Sequence, residues 1–110
     1  MYYFIVNPNS RSGRGRLIWE QIHQQLLLQR ISFQYCLTRY SGHATQIASK
    51  ASLLGTASDP VYMIAVGGDG TIQEVLTGIT DFDRVVFGYI PTGSGNDFCR
   101  SMELPFDPME

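Results

Sequence analysis

Residues 61–76, VYMIAVGGDGTIQEVL, decide the fold of this chain. Six apolar residues, typical of a buried strand, run directly into Gly67-Gly68-Asp69-Gly70, and apolar residues at helical spacing follow at once. Glycine costs conformational entropy on folding, so three glycines at this junction indicate that the backbone must turn tightly or be approached closely. The stretch therefore predicts a strand and a helix joined by a loop of bare backbone.

The same strand–loop–helix pattern recurs along the chain. Apolar runs predict strands at residues 2–6, 33–38, 61–66 and 84–91. Helical spacing predicts helices at residues 17–30, 44–54 and 72–79, and a short fourth helix that starts near residue 96 and stops before residue 105. This order predicts an α/β fold with three layers, in which a mainly parallel sheet has helices on both faces. Strands 1, 3 and 4 are expected at the centre, and the half-polar strand 2 at an edge.

Composition limits the classes of function. The chain has 110 residues, of which 44% are apolar, enough for the core of one small domain. Its net charge of −2 argues against a basic surface for nucleic acid, so no nucleic-acid partner is expected. Cys36 and Cys99 have no metal-type spacing and are expected to be ordinary thiols. No apolar run matches a signal peptide or a membrane span, which predicts a cytoplasmic protein.

A polar loop follows each predicted strand and leads into a helix. The loops are NPNSRSGRG at residues 7–15, TRYSGH at 38–43, GGDGT at 67–71 and PTGSGND at 91–97. In a parallel sheet, ligands bind beyond the carboxyl ends of the strands, and helix N-termini there offer free N–H groups to an anion. Four such loops on one edge predict a polyphosphate site, hence nucleotide binding or phosphoryl transfer.

Several familiar nucleotide and catalytic motifs are missing from the sequence. There is no GxxxxGK[ST] phosphate loop, and the glycine-rich text does not fit GxGxxG with an acid about 20 residues further on. No serine or cysteine nucleophile is arranged with a histidine for acyl transfer.

Four segments together resemble the N-terminal half of the diacylglycerol kinase catalytic domain, in particular its bacterial lipid kinase branch. They are NPNSRSG at residues 7–13, TRYSGHA at 38–44, GGDGTIQEV at 67–75 and PTGSGNDF at 91–98. GGDGT is shared with NAD kinases and phosphofructokinases, but its combination with PTGSGNDF is more specific. The resemblance spans nearly the whole chain. It implies an NAD kinase/diacylglycerol kinase-like nucleotide-binding domain at residues 1–104. Residues 105–110 would then start a linker to a second, β-rich domain absent from the chain.

The resemblance implies ATP-dependent phosphorylation of a lipid hydroxyl, with Mg²⁺ as a cofactor. The partners would be ATP, a lipid at the inner face of the membrane, and the missing C-terminal domain, which in the family carries the general base. Two other readings stay open: another GGDGT kinase, such as one acting on NAD, and a nucleotide-binding or regulatory module without catalysis. A further alternative is a homo-oligomer, formed if apolar surface meant for the partner domain is exposed.

Candidate nucleotide-binding residues come from all four loops and are partly implied by the resemblance. They are Asn7, Ser10, Arg11, Ser12, Gly13, Thr38, Gly67, Gly68, Asp69, Gly70, Thr71, Ile72, Gln73, Thr92, Gly93 and Ser94. A carboxylate beside a triphosphate is repulsive unless a cation intervenes, so Asp69 is a candidate Mg²⁺ ligand or partner of the substrate hydroxyl. The resemblance places Asp97 in the same supporting acidic network. The sequence departs from the family at Gln73, where Asn is usual, and at Arg11, where glycine is common.

Structural roles compete with these functional ones. The three glycines could serve a tight turn with positive φ, and Asn7 could be a turn residue before Pro8. Thr71 and Glu74 form the T-x-x-E pattern, which predicts a capping box at the start of the third helix. His43 is expected to hydrogen-bond at a helix start rather than to act as a base.

Overall fold

The computed structural model describes residues 1–92, without the side chains of residues 11 and 12. The elements are β1 Tyr2–Val6, α1 Ser10–Leu28, β2 Phe33–Leu37, α2 His43–Ala51, a short 3₁₀ turn Ser52–Leu54, β3 Val61–Gly67, α3 Asp69–Gly78 and β4 Val85–Pro91. The four predicted strands and the first three predicted helices are therefore present. The fourth predicted helix, and the domain boundary expected after residue 104, lie outside the described residues.

The four strands form one parallel sheet in the order β2-β1-β3-β4, which confirms the predicted α/β class. Val6 is aligned with both Leu37 and Val66, and Gly67 is aligned with Pro91, so the carboxyl ends of the strands lie at one edge. From β1 the chain first moves outward to β2 and then crosses back to β3. Beyond the ends of β1 and β3 the connections diverge, which is where ligands bind in open parallel sheets.

Alternate residues of β1 and β3 form two separate cores, one on each face of the sheet. Helix α1 covers one face, and helices α2 and α3 cover the other. The α1 core contains Phe4, Val6, Trp19, Ile22, Leu26, Ile64, Val66 and Ile90. The second core contains Ile5, Ala44, Ile47, Ala48, Ala51, Val61, Met63, Ala65, Val75, Ile79 and Val85. A slip of one residue would exchange the two faces, so this alternation fixes the register of the strands.

Helix α1 begins seven residues earlier than the sequence pattern predicts, at Ser10 rather than at residue 17. Its first turns are irregular, because Gly13 has φ of +96° and the N–H of Arg16 donates to the carbonyl of Pro8 at 3.1 Å. The segment expected to be a long loop is thus a short turn followed by a bent helix start. Within the described residues, no helix is both long and apolar enough to cross a membrane.

Strand β4 lies at an edge of the sheet formed by residues 1–92, whereas the sequence predicted a central position. It pairs with β3 on one side, and the Val86 side chain on its exposed part is 44% accessible. Its apolar character reflects packing against α3 and β3 rather than pairing on both sides. Strand β2 is at the opposite edge, as predicted.

Candidate functional site

Backbone hydrogen bonds hold the first residue after three of the four strands, β1, β2 and β4, at the level of the neighbouring strand end. These bonds run from Thr38 N to Val6 O (2.7 Å), from Asn7 N to Val66 O (2.8 Å) and from Thr92 N to Gly67 O (3.0 Å). The four loops expected at one edge of the sheet do begin there, side by side. We call this edge the rim.

Side-chain hydrogen bonds join the loops of the rim to one another. Asn7 Nδ2 donates to Thr71 Oγ1 at 3.3 Å and thereby connects the loop after β1 to the start of α3. Ser10 Oγ lies 2.6 Å from Thr92 Oγ1 and donates to the carbonyl of Asn7 at 3.1 Å. Thr71 and Thr92 are buried, so their hydroxyl groups hold loops together. Their role in this arrangement is to fix the positions of the backbone groups around them.

None of the glycines of the GGDGT loop has the positive φ expected for a tight turn. Among the described glycines, positive φ occurs at Gly13 and Gly42. Gly67 is constrained by packing: a Cβ atom there would lie 2.6 Å from Thr71 Oγ1. Gly68 and Gly70 are different, because a Cβ atom at either position would meet no atom within 4 Å. The described chain alone gives no steric reason for glycine at these two positions.

The N-terminus of α3 is open. Gly68 is its N-cap and has extended backbone, and no side chain caps the helix. The first N–H groups of an α-helix have no partner within the helix, and here the N–H of Ile72 is the first to bond back, to Gly68 O at 3.1 Å. Asp69 is exposed in this first turn. No side chain of residues 1–92 therefore caps the positive end of the helix dipole at the rim.

The predicted capping box between Thr71 and Glu74 is wrong. Helix α3 begins three residues earlier than that pattern requires, with Gly68 rather than Thr71 as its N-cap, so Thr71 lies inside the helix. Glu74 Oε1 instead accepts the N–H of Gly42 at 3.0 Å, and the backbone carbonyl of Glu74 accepts the hydroxyl of Thr45 at 2.8 Å. Glu74 thus joins α3 to the start of α2. His43 does hydrogen-bond at that helix start, as predicted, because its Nδ1 accepts the N–H of Arg39 at 2.9 Å.

A cleft of about 330 Å³ lies between the ends of β1 and β2 and the first turns of α2 and α3. It is lined by Asn7, Asn9, Thr38, Arg39, Tyr40, Ser41, Ala44, Gly70, Thr71 and Glu74. Four of the predicted binding residues are therefore on its wall. A more open groove of about 980 Å³ continues along the exposed edge of β2 and shares Asn9, Thr38, Arg39 and Tyr40 with the cleft.

The sequence reasoning missed Arg39, which lines the cleft, and the packing requirement for Gly15 next to Asn7. The exposed side chain of Arg39 lines the cleft, and the ion pair found in the described part of the chain is Arg84–Asp81, which leaves Arg39 available to an anion. The sequence signal that could have identified Arg39 is a positively charged residue in the loop after β2. Gly15 is needed because a Cβ atom there would lie 2.1 Å from the carbonyl oxygen of Asn7. The need for glycine at position 15 is visible only in the folded backbone, where Asn7 O lies next to it.

The remaining predicted residues are distributed around this cleft or are not described. Gly13 is in the bent start of α1, Ile72 is half-buried in α3, and Gln73 is exposed on α3. Gly93, Ser94 and Asp97, and the side chains of Arg11 and Ser12, lie outside what the structure describes. Among the described residues no three His, Cys, Asp or Glu side chains form a group that could hold a metal ion.

Comparison with known proteins gives a consistent result. The family model of the diacylglycerol kinase catalytic domain matches residues 1–110. The chain is 50% identical over 106 residues to diacylglycerol kinase of Staphylococcus saprophyticus subsp. saprophyticus, covering 96% of this chain. It is 37% identical over 105 residues to diacylglycerol kinase of Bacillus subtilis (strain 168), covering 92% of this chain.

A solved structure supports the same fold. A candidate diacylglycerol kinase from Bacillus anthracis str. Sterne superposes on 90% of this chain with a TM-score of 0.68 and 27% sequence identity. The chain spans about a third of the length of these relatives: 33% and 32% of the two kinases, and 34% of the solved structure.

Proposed function

The chain belongs to the diacylglycerol kinase catalytic domain family, and on that premise we propose that it is the ATP-binding part of a lipid kinase. The phosphates of ATP would bind at the rim, and the γ-phosphate would pass to a lipid hydroxyl. The lipid acceptor, the second domain and any self-association remain predictions from the resemblance. This chain spans about a third of the length of its relatives, so the role proposed for it is that of the nucleotide-binding part of the enzyme.

The uncapped start of α3 is the observation that carries the proposal. Free N–H groups at a helix N-terminus bind phosphate, and the two glycines with open space beside them, Gly68 and Gly70, let an oxygen approach the backbone closely. Against residues 1–92, side chains at both positions would cost nothing sterically. Glycine at both positions would leave room for a phosphate beside the backbone.

The other rim residues would support phosphate binding in distinct ways. Asn7 and Thr71 hold the loop after β1 against α3, and Ser10 and Thr92 hold it against the loop after β4. Arg39 would supply a positive charge on the opposite wall of the cleft. We propose the same phosphate contacts for Gly93 and Ser94, by resemblance to the family.

Mg²⁺ would be held by the phosphates together with Asp69, and with Asp97 by resemblance. It would neutralise the negative charge that develops on the transferred group. Asp69 on its own would be repelled by a triphosphate, and its exposed position at the end of a helix dipole is compatible with sharing a cation. No general base is proposed among these residues.

Replacing Gly70 with alanine should affect ATP affinity without reducing the stability of the fold. Alanine is favoured over glycine inside a helix by about 0.5–1 kcal/mol, and position 70 has space for its methyl group, so Gly70→Ala should keep or raise the thermal stability. The same methyl group would occupy the space of a phosphate oxygen, so ATP affinity should fall at least about tenfold, which corresponds to about 1.4 kcal/mol. Isothermal titration of the 110-residue chain with Mg-ATP measures the affinity.

Thr77→Ala, on the exposed side of the same helix, is the matched control and should leave ATP affinity unchanged. If Gly70→Ala binds ATP as tightly as the wild-type chain, the phosphates do not lie against the start of α3, and the proposed site is wrong.

A further inference from the structure

The ring of Tyr40 is fixed although most of its side chain is exposed. The Tyr40 and His43 rings are stacked, with centroids 4.5 Å apart and planes 12° apart. The Tyr40 hydroxyl donates to Gln46 Oε1 at 2.8 Å. His43 is itself held by the N–H of Arg39, which donates to its Nδ1. An aromatic side chain that is 54% exposed is thus held at its face and at its tip.

This ring is beside the rim. Tyr40 lines the 330 Å³ cleft together with Gly70 and Thr71, which belong to the GGDGT loop, and with Thr38 at the end of β2. Its only ring contact among the described residues is with His43, so one face of the phenol ring is covered and the ring has no second aromatic neighbour there. A flat, rigid and partly uncovered apolar surface is therefore exposed next to the polar loops.

We propose that Tyr40, backed by His43, is the surface on which the base of the bound nucleotide stacks, and that Gln46 is a positioning residue for the ring. The inference rests on the proposed function and deepens it, because it assigns the base end of the ligand to a residue of this chain. Phosphates at the start of α3 leave the remainder of the same cleft, towards Tyr40, for the base and the sugar. Stacking suits this role because every base has a π face and an aromatic ring binds it without hydrogen bonds.

Holding the Tyr40 ring in place before the nucleotide binds increases the affinity that stacking provides. A free tyrosine on the surface would lose rotamer freedom when a base stacked on it, and that loss would reduce affinity. The bond to Gln46 and the stack on His43 restrict that freedom in the free protein. Residues on α2 therefore contribute to nucleotide affinity without touching the nucleotide.

A purely structural role for Tyr40 is the competing explanation, because Tyr40, His43 and Gln46 all lie at the start of α2, whose N-cap has no side-chain cap bond. The two explanations differ in which ligand they affect. Stabilising the helix start would support the whole cleft, whereas stacking would affect only ligands that carry a base.

The test compares ATP with inorganic tripolyphosphate, which has the phosphates and no base. In the 110-residue chain, Tyr40→Ala should weaken ATP binding about tenfold and leave tripolyphosphate binding unchanged. Tyr40→Phe and Gln46→Ala keep the ring but lose the bond that holds it, so each should weaken ATP binding by less than Tyr40→Ala. Combining them should add nothing further, because both remove the same bond.

A base-proton measurement makes the result independent of folding. On binding to the wild-type chain, the H2 and H8 resonances of ATP should shift upfield because of the ring current of a stacked aromatic side chain. The shift should be lost with Tyr40→Ala and kept with Tyr40→Phe. Tyr35→Ala is the matched control, since Tyr35 is an exposed tyrosine that lines the open groove but not the cleft.

The outcomes are distinct. If Tyr40→Ala weakens ATP and tripolyphosphate equally, Tyr40 only supports the cleft, and the inference is overturned. It is also overturned if Tyr40→Ala leaves ATP binding unchanged, a result that leaves the proposed phosphate site standing. If the wild-type chain binds neither ligand, the proposed function itself is wrong and the assignment of Tyr40 goes with it.

Discussion

The glycines of the GGDGT loop differ from one another when each is considered as a single residue. Gly67 is enclosed by the side chain of Thr71, whereas Gly68 and Gly70 border open space. In the sequence they form one motif, since all three lie at the junction between a strand and a helix. Their separate roles depend on which atoms lie within a few ångströms of each Cα atom, and that is a property of the folded chain.

Gly67→Ala should destabilise the fold. The new methyl group would overlap the hydroxyl of Thr71, and the displaced hydroxyl would lose its bond from Asn7. We expect the free energy of unfolding to fall by about 1–3 kcal/mol, the usual cost of overpacking a well-packed site. Urea denaturation followed by circular dichroism measures it.

Gly68→Ala is the internal comparison for that experiment, because it adds the same methyl group to the neighbouring residue where nothing is in the way. Its free energy of unfolding should stay within about 0.5 kcal/mol of the wild type. Equal effects at positions 67 and 68 would contradict the steric account of Gly67.

Residue types at the rim could be predicted, but their hydrogen bonds could not. The sequence indicated small and polar residues after each strand, and Asn7, Thr38, Gly70 and Thr71 do line the cleft. The same local reasoning gave a capping box for Thr71 that does not form. A cap depends on where the preceding strand ends, and β3 ends where pairing with β4 ends, which is a long-range contact that no local pattern contains.

At the scale of elements, periodicity predicted the helices and strands well within their interiors and poorly at their ends. Every buried strand lies where the apolar runs are, because burial on both faces requires them. The start of α1 was missed, since Gly13 has a positive φ inside the element and a glycine there looks like a loop. In the sheet formed by residues 1–92, β4 has one neighbouring strand, and its apolar sequence does not indicate whether it has one neighbour or two.

Strand β1 should make the fold sensitive to alkaline pH. Burial raises the pKa of both Tyr2 and Tyr3 above the ordinary value of 10.0, and the negative charges of Tyr62 and Cys36, respectively, raise them further. The folded chain therefore favours the neutral phenols. Their contribution to stability is complete below about pH 10 and is lost as the pH rises through the raised pKa of the folded state.

Tyr3→Phe should accordingly make the loss of stability between about pH 9 and about pH 11 less steep, since one of the two groups no longer ionises. The measurement is the urea midpoint across that range. A Tyr3→Phe slope equal to that of the wild type would show that β1 is not the source of the alkaline sensitivity.

For the whole molecule, the parallel arrangement of the strands and the position of the rim follow from the repeated pattern of the sequence. Repeated strand–loop–helix units predict a parallel sheet, and a parallel sheet brings every strand-to-helix loop to one edge. The family could be predicted for the same reason, because its motifs are those loops. The complete catalytic arrangement could not be derived, since the chain spans about a third of the length of its relatives.

We expect the 110-residue chain to bind Mg-ATP and to transfer phosphate to diacylglycerol at a negligible rate. Phosphoryl transfer requires an acceptor hydroxyl in line with the γ-phosphate and a group that takes its proton. Among the described residues Asp69 is the one carboxylate in the uncapped first turn of α3, it is exposed, and no cluster of acids accompanies it. Incorporation of label from γ-labelled ATP into the lipid of vesicles containing diacylglycerol measures the rate, with Asp69→Asn as the comparison. Rapid turnover that Asp69→Asn abolishes would mean that the rim alone completes the reaction. The assignment of the base to a second domain would then be wrong, whereas nucleotide binding at the rim would be retained.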